Sequence, residues 1–196
     1  MDLKRISPWL AVGLVLVLSA CSVSPNQSQP DPTASASEPP TSQAEPRESP
    51  KTCELDEMVS AFNERLDGAV FIPTEWQPAE GTDLFDVYEA GGIACTYGIE
   101  SAEIGGTVMW AAASDELWLE KSTEWKSAGY VEADIPELDE HEALVLETTG
   151  ADGQAVWYIN FHIGGVWIQF GASKFIASLE DALAIVQASA MVAIAN

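Results

Sequence analysis

The chain has 196 residues and a formal net charge of −23 at pH 7, with 31 Asp and Glu against 8 Lys and Arg. A surplus of negative charge on this scale repels other polyanions, so binding to nucleic acid or to anionic lipid headgroups is disfavoured. Two interpretations of the charge stay open. It is either a solvated acidic surface outside the cell or a surface that recruits cations or a basic partner.

The first twenty residues have the pattern of an export signal. Lys4 and Arg5 form a short positive region, and an apolar run at 10–18 follows it, interrupted only by Gly13. The run ends in Leu18-Ser19-Ala20-Cys21, which resembles the lipobox of bacterial lipoproteins. In that family the chain is cut before the cysteine, whose thiol then carries a diacylglyceryl group. The resemblance implies a protein anchored through lipid on Cys21 to the extracytoplasmic face of the cell membrane.

A membrane-spanning anchor is the alternative to this signal, and it is disfavoured because the apolar run is shorter than the roughly 20 residues that a spanning helix needs. From Ser22 to Thr52 the chain is mainly Pro, Ser, Gln, Thr, Ala and Glu, with Val23 as its only large apolar residue. Such a segment buries too little apolar surface to offset the entropy of ordering. We therefore expect residues 21–52 to be a lipidated cysteine and a disordered tether, followed by one globular domain at 53–196.

Cys53 and Cys95 are the only thiols left once Cys21 carries lipid. Outside the cytoplasm, two thiols in one small domain usually form a disulfide, and this one would close a loop of about 43 residues and contribute roughly 4 kcal/mol. A redox motif and a structural zinc site are the competing interpretations, and both are weaker. The chain has no CxxC motif, and its two Cys and two distant His do not match the spacing of a structural zinc site.

The first elements of the domain alternate between helix and strand signals. Apolar residues at helical spacing predict a helix from Leu55 to Leu66 that ends near Gly68, and residues 69–73 follow as a strand candidate. Residues 84–88 and 93–99 flank Ala90-Gly91-Gly92, and we predict a hairpin there because glycine permits the positive φ of a tight turn. The next predicted elements are a strand at 106–113, a helix from Ser114 to Ala128 with Trp118 and Trp125 on one face, an acidic irregular segment at 131–142, and a strand at 143–148.

The clearest prediction is a second hairpin, in which strands 157–163 and 166–170 are joined by Gly164-Gly165. A two-residue turn determines the register, because a slip of one residue would move every side chain to the other face. The core face then pairs Ile163 with Val166, Phe161 with Ile168, and Ile159 with Phe170. The opposite face pairs His162 with Trp167 and Asn160 with Gln169, and it also carries Tyr158.

Ser178-Leu179-Glu180-Asp181 resembles a capping box, and the stripe of Leu183, Val186, Ala190 and Ile194 predicts a last helix after it. The order helix, strands, helix, strands, helix predicts an α+β domain with a mostly antiparallel sheet, tight Gly-Gly hairpins, and N- and C-terminal helices packed with the others on one face. The hairpins argue against a parallel nucleotide-binding sheet.

The segment Gly91-Gly92-Ile93-Ala94-Cys95-Thr96-Tyr97 has the pattern Gly-Gly-x-x-Cys-x-aromatic. Together with the lipobox, the polar tether and the early domain cysteine, it resembles small surface lipoproteins of actinobacterial type. The resemblance supports the disulfide and the surface location, and it implies no activity, because such families are largely of unknown function.

Calcium is the first chemistry that the acidic residues suggest, since Ca²⁺ takes six to eight oxygen ligands. The cluster consists of Asp134, Glu137, Asp139, Glu140, His141 and Glu142. Its spacing does not match an EF-hand, and an acidic solvated loop is the favoured interpretation. We predict no metal site and no cofactor.

Catalysis has little support in the sequence. Only His141 and His162 offer an imidazole base, and no Gly-x-Ser-x-Gly motif exposes a serine nucleophile. A carboxylate pair for hydrolysis stays open among 26 domain acids, because the required separation is spatial and not sequential. We therefore predict no enzyme and name no catalytic residue.

The outer face of the second hairpin is the candidate binding face, formed by Tyr158, Asn160, His162, Trp167 and Gln169. It combines aromatic area with hydrogen-bonding groups, as binding surfaces do. The alternative is that Trp167 and Tyr158 lie beneath a helix or loop. The sequence thus predicts a lipid-anchored envelope lipoprotein that binds an unidentified protein or small ligand, with a small carboxylate hydrolase or a calcium-dependent module as alternatives.

Overall fold

The computed structural model describes residues 46–138 and 141–195. The predicted signal, Cys21 and the tether up to residue 45 lie outside the described residues. The helices are α1 (Asp56–Asn63), α2 (Asp83–Glu89), α3 (Asp115–Ser127) and α4 (Leu179–Met191). The strands are β1 (Arg47–Glu48), β2 (Val70–Ile72), β3 (Ile93–Ile99), β4 (Ile104–Ala112), β5 (Val131–Ala133), β6 (Glu142–Thr149), β7 (Ala155–Ile163), β8 (Val166–Ser173) and β9 (Ile194–Ala195).

Seven strands form one sheet in the order β2-β3-β4-β8-β7-β6-β5, and each strand is antiparallel to its neighbours. The chain builds this sheet as two meanders, β2 to β4 and β5 to β8, which meet where β4 pairs with β8. The α+β class and the antiparallel sheet are therefore as predicted.

Helices cover both faces of the sheet. The first and last helices, α1 and α4, pack on the face that carries Trp110, Ile159 and Phe170, and this layer contains the larger core. Helices α2 and α3 pack on the opposite face, against Met109 and Trp167. The expectation of helices on one face thus describes α1 and α4 only. The second layer was missed because the sequence of α2 was interpreted as a strand.

The hairpin of β7 and β8 has the predicted turn and register. Gly164 and Gly165 lie at φ 57° and 82°, in the left-handed region that glycine enters without steric cost. All five predicted pairs are present, namely Ile163–Val166, Phe161–Ile168, Ile159–Phe170, His162–Trp167 and Asn160–Gln169. The apolar residues of one face and the short turn fix the same register, so the prediction had two independent supports.

The predicted hairpin around Gly91 is wrong, because residues 84–88 belong to helix α2 and not to a strand. The Thr82 side chain caps this helix by accepting a hydrogen bond from the Phe85 amide, and Asp83 and Asp86 complement the helix dipole in its first turn. Gly91, at φ 71°, then ends the helix instead of turning a hairpin.

Helices α3 and α4 follow their predicted caps. The Ser114 side chain accepts a hydrogen bond from the Leu117 amide at the start of α3, and Ser178 accepts one from Asp181 at the start of α4. Helix α4 ends before Ile194, which belongs to β9 and not to the predicted helical stripe. Residues 131–133, expected to be irregular, form the edge strand β5.

A disulfide joins Cys53 to Cys95, as predicted, with the two Cα atoms 5.4 Å apart. Cys95 lies on the core face of β3, and the Tyr97 hydroxyl donates a hydrogen bond of 2.9 Å to the carbonyl of Cys53. The bridge and this hydrogen bond together fasten the start of α1 to the sheet.

The described structure includes residues before Cys53. Arg47 and Glu48, expected to be part of the tether, pair as β1 with β9 near the end of the chain. The Arg47 amide donates to the Gly164 carbonyl at 2.8 Å, and its guanidinium donates to the Ala190 carbonyl. These backbone pairings hold a polar segment in place although its side chains bury little apolar surface.

Candidate functional site

The predicted binding face on β7 and β8 is not an exposed patch. Asn160 and Trp167 are 0% and 1% exposed, and Gln169 is also buried, because α2 and α3 pack over this part of the sheet. His162 is half-buried and stacks on Trp118 with the ring centroids 5.3 Å apart. The structure therefore corrects the proposed surface and places Trp167 beneath a helix.

The buried polar side chains form one hydrogen-bond network. The Asn160 Oδ1 accepts hydrogen bonds from Trp167 Nε1 and Gln169 Nε2, each at 2.9 Å. Gln169 Nε2 also donates to Asp83 Oδ2 at 2.8 Å, and Trp125 Nε1 donates to the same oxygen at 3.0 Å. The network fixes α2 and α3 to the sheet, and the groups bonded in it face other protein groups, whereas the buried Asn160 Nδ2 has no hydrogen-bond partner among the described residues.

Lys121 on α3 is the charged centre of this layer. Its Nζ lies 2.6 Å from Asp83, 2.8 Å from Asp86 and 3.2 Å from Glu124, and the side chain is only 9% exposed. Burial lowers the pKa of Lys121, but the hydrogen bonds from its ammonium to Asp83 and Asp86 more than compensate, so the pKa lies above its ordinary value. Lys121 is therefore a permanent counter-ion to these carboxylates.

The same environment acts on Tyr130, which packs against Trp125. Burial, followed by the negative charge of Asp83 and the nearby Tyr158 hydroxyl, raises the pKa of Tyr130 to about 12. Tyr130 is therefore a neutral phenol at any physiological pH.

Next to this covered region, the same face of the sheet is open. A single row of cross-strand neighbours runs across it, in the order Ile72, Thr96, Thr107, Gly171 and Tyr158. The three middle residues are small, and the Thr96 and Thr107 hydroxyls lie 3.5 Å apart. Small side chains in the middle of a sheet leave space above it, and here that space is the floor of a groove.

This sheet groove has a volume of about 860 Å³ and is open to solvent. Trp76 and Leu84 form part of its wall, Met109 contributes to its floor, and Glu100 and Glu103 also line it. The Trp76 indole is held in position by a hydrogen bond of 3.1 Å from its Nε1 to the Ala94 carbonyl. The volume lies in the range of sites that enclose small molecules, and most of the lining is apolar.

Gly171 determines the depth of the groove beside Tyr158. A Cβ atom at this position would lie 3.3 Å from the Tyr158 ring, so a larger side chain would fill the space. Of the predicted binding residues, only Tyr158 and Gln169 line the groove. The small residues on the floor were missed, because they lie on three different strands and become neighbours only in the folded sheet.

The acidic segment does not assemble a metal centre within residues 46–138 and 141–195, where no group of three or more Asp, Glu, His or Cys is placed to hold an ion. Asp139 and Glu140 lie outside the described residues. Asp134 is 95% exposed on its side chain, whereas His141 is buried. The His141 Nε2 accepts a hydrogen bond from the Ile135 amide at 3.0 Å, and its Nδ1 lies 2.8 Å from the Leu138 carbonyl, so the ring connects two backbone groups of the loop.

Neither histidine lies in the sheet groove. The His162 Nε2 lies 3.2 Å from the Ala113 carbonyl, which can only accept, so this nitrogen carries the proton. Asp83, the one carboxylate at the inner end of the groove, is engaged by Lys121, Trp125 and Gln169. The acid nearest to the inner end of the groove is therefore already paired with a positive charge.

No protein-family model, no characterised protein and no solved structure matches this chain. Within the part of the chain that the structure describes, no helix has the length and apolar character needed to cross a membrane. A functional assignment consequently has to be argued from the groove and from the sequence.

Proposed function

We propose that the chain is a lipid-anchored envelope lipoprotein whose domain binds a small ligand in the sheet groove and does not transform it. The observation that carries the binding proposal is the row of Thr96, Thr107 and Gly171, which leaves an open, mostly apolar groove of about 860 Å³ beside aromatic side chains. Large apolar side chains in this row, like those at the covered positions of the same face, would fill the space.

The proposal of binding without turnover rests on how the polar groups near the groove are used. Asp83 is paired with Lys121, and the amide of Gln169 is bonded to Asp83 and Asn160. A general acid or base needs a proton-exchanging group within reach of the substrate. Glu100 and Glu103 are exposed residues at the rim, where water has access to their carboxylates, and this position is suited to recognition.

A substitution that fills the groove tests the binding proposal. Thr107→Leu keeps a residue that is compatible with a strand and places a larger apolar side chain between Thr96 and Gly171. Thr149→Leu is the matched control, since Thr149 is an exposed residue of β6 that does not line the groove. Both folded variants would be compared with the parent in a thermal-shift screen of small molecules. Binding that survives Thr107→Leu unchanged would contradict the proposed site.

The anchoring proposal has a separate test. Metabolic labelling with a radioactive fatty acid is expected to mark the parent chain in a bacterial host, and Cys21→Ser is expected to abolish the label. Cys21 is the expected acceptor because the lipobox resemblance ends on it. Label that persists in Cys21→Ser would refute lipidation at this residue without affecting the groove.

A further inference from the structure

We infer that the sheet groove selects a small apolar molecule that carries a positive charge, of the alkylammonium or arylammonium class. This inference rests on the proposed function and names the ligand chemistry of the same site. Its basis is the combination of an apolar lining, two aromatic side chains and a charge distribution of one sign at the rim.

The lining sets the apolar part of the ligand. Ile72, Ile104 and Met109 contribute aliphatic surface to the groove, and Trp76 and Tyr158 contribute aromatic rings. Binding to such a surface removes apolar area of the ligand from water, and this burial contributes roughly 25 cal/mol of binding free energy for each Å². The volume of about 860 Å³ admits a drug-sized molecule or a medium alkyl chain.

The negative charge at the rim of the groove determines which polar group we expect the ligand to carry. Glu100 and Glu103 line the groove and are exposed, and no Lys or Arg is among the described residues that line it. The third acid, Asp83, is neutralised by Lys121 at 2.6 Å, so the two rim glutamates dominate the local field. A cation near them is attracted, and an anion is repelled both by them and by the acidic domain as a whole.

The aromatic side chains favour the same charge. The face of Trp or Tyr attracts a cation within about 6 Å of the ring centroid, and this attraction is larger where water is partly excluded. Trp76 is fixed by its hydrogen bond to Ala94, so its ring is positioned before a ligand arrives. A cationic group over either aromatic ring of the lining gains from this contact, separately from the attraction of the rim carboxylates.

The chain's own tether does not fit this site. Residues 22–45 include Asp31, Glu38 and Glu45 and contain no Lys or Arg, so the tether is anionic like the rim. The charge therefore favours an external cationic molecule over occupation of the groove by the tether.

Three ten-carbon probes test the charge preference while keeping the apolar part constant. Decyltrimethylammonium, decanol and decanoate would be titrated below their micelle concentrations into the processed chain, residues 21–196 carrying Cys21→Ser, which has neither the apolar signal nor the lipid and therefore needs no detergent. The expected order of affinity is cation, then neutral alcohol, then anion. Two partly exposed ion pairs of ordinary strength correspond to a preference of about tenfold for the cation over the alcohol.

Two double variants with the same change in net charge locate the effect. Glu100→Gln with Glu103→Gln is expected to remove the tenfold preference and to leave decanol binding unchanged. Glu116→Gln with Glu120→Gln changes two exposed acids of α3 outside the groove lining and is expected to leave the preference intact. Equal losses in both double variants would show a general charge effect and overturn the inference.

The remaining outcomes separate this inference from the proposed function. Equal binding of all three probes, lost in Thr107→Leu, would overturn the charge preference and leave the groove as a binding site. Cation binding that is unchanged in Thr107→Leu would place the probe elsewhere and overturn the inference. If none of the three probes binds, the inference fails, while the screen described above still decides whether the groove binds another ligand.

Discussion

Replacing Lys121 by Met removes the buried positive charge of the α2–α3 layer while keeping a side chain of similar length. In the native protein the ammonium lies 2.6 Å from Asp83 and 2.8 Å from Asp86, and it sits over the rings of Trp125 and Trp167 at 5.6 Å and 5.8 Å. The methionine retains the packing but leaves two carboxylates close together without their counter-ion. We expect a large loss of stability.

The size of the loss follows from the exposure of the carboxylates. Removing one member of a fully buried ion pair costs about 3–5 kcal/mol. The Asp83 and Asp86 side chains are 23% and 35% exposed, so water replaces part of the lost interaction. Asp83 also keeps its hydrogen bonds from Trp125 and Gln169. We therefore expect Lys121→Met to lower the free energy of unfolding by about 2–3 kcal/mol.

The assay is urea denaturation followed by circular dichroism at neutral pH, with Lys126→Met as the matched control. Lys126 lies on the same helix and contacts Glu132 at 2.6 Å, but both side chains are exposed, so that pair contributes little to stability. We expect the midpoint of urea unfolding to shift strongly for Lys121→Met and only slightly for Lys126→Met. Similar small shifts for both variants would refute this expectation, because the buried cluster would then be worth no more than a surface pair.

Three further outcomes follow from buried groups. Burial raises the pKa of Tyr130 to about 12 and that of Tyr97 higher still, whereas an unfolded tyrosine ionises near 10. Stability is therefore fully present below pH 10 and is lost as the pH rises through the folded values, which melting curves at increasing pH will measure. Cys53→Ala with Cys95→Ala is expected to cost about 4 kcal/mol in denaturant unfolding and to make the midpoint insensitive to reductant, unlike that of the parent. His141→Leu leaves one buried backbone amide without an acceptor, and a loss of about 1–3 kcal/mol with faster local hydrogen exchange is expected, whereas unchanged exchange would show that the ring does not hold the loop.

Sequence patterns predicted the elements whose local and tertiary signals agree. The β7–β8 register followed from alternation and a two-residue turn, and the starts of α3 and α4 followed from Ser114 and Ser178. The disulfide of Cys53 and Cys95 followed from the small number of thiols and the expected export. In each case a local sequence pattern agreed with what side-chain packing or the expected export requires of the same residues.

The wrong predictions have a common physical cause. A short apolar segment does not contain enough residues to show whether its hydrophobic side chains repeat with the period of a helix or with that of a strand. Residues 84–88 have both strand and helix character, and the Thr82 cap decided for helix α2. Because α2 was interpreted as a strand, the helical layer over this face of the sheet was not predicted. Trp167 and Asn160 were therefore expected on an outer face, which is in fact buried. The groove could not be found from one strand at a time, because Thr96, Thr107 and Gly171 become a surface only when three strands are placed side by side.

The disulfide also defines the route by which mechanical force would enter the domain from an anchored N-terminus. A pull on the tether first loads the two-residue ladder between β1 and β9, which can separate, and then reaches Cys53. From there the tension passes through the covalent bridge to Cys95 in β3 and bypasses residues 54–94. That shielded loop contains α2 and Trp76, which form part of the groove wall. A domain moved about on a stalk would thereby keep its wall unstrained while the stalk is under load.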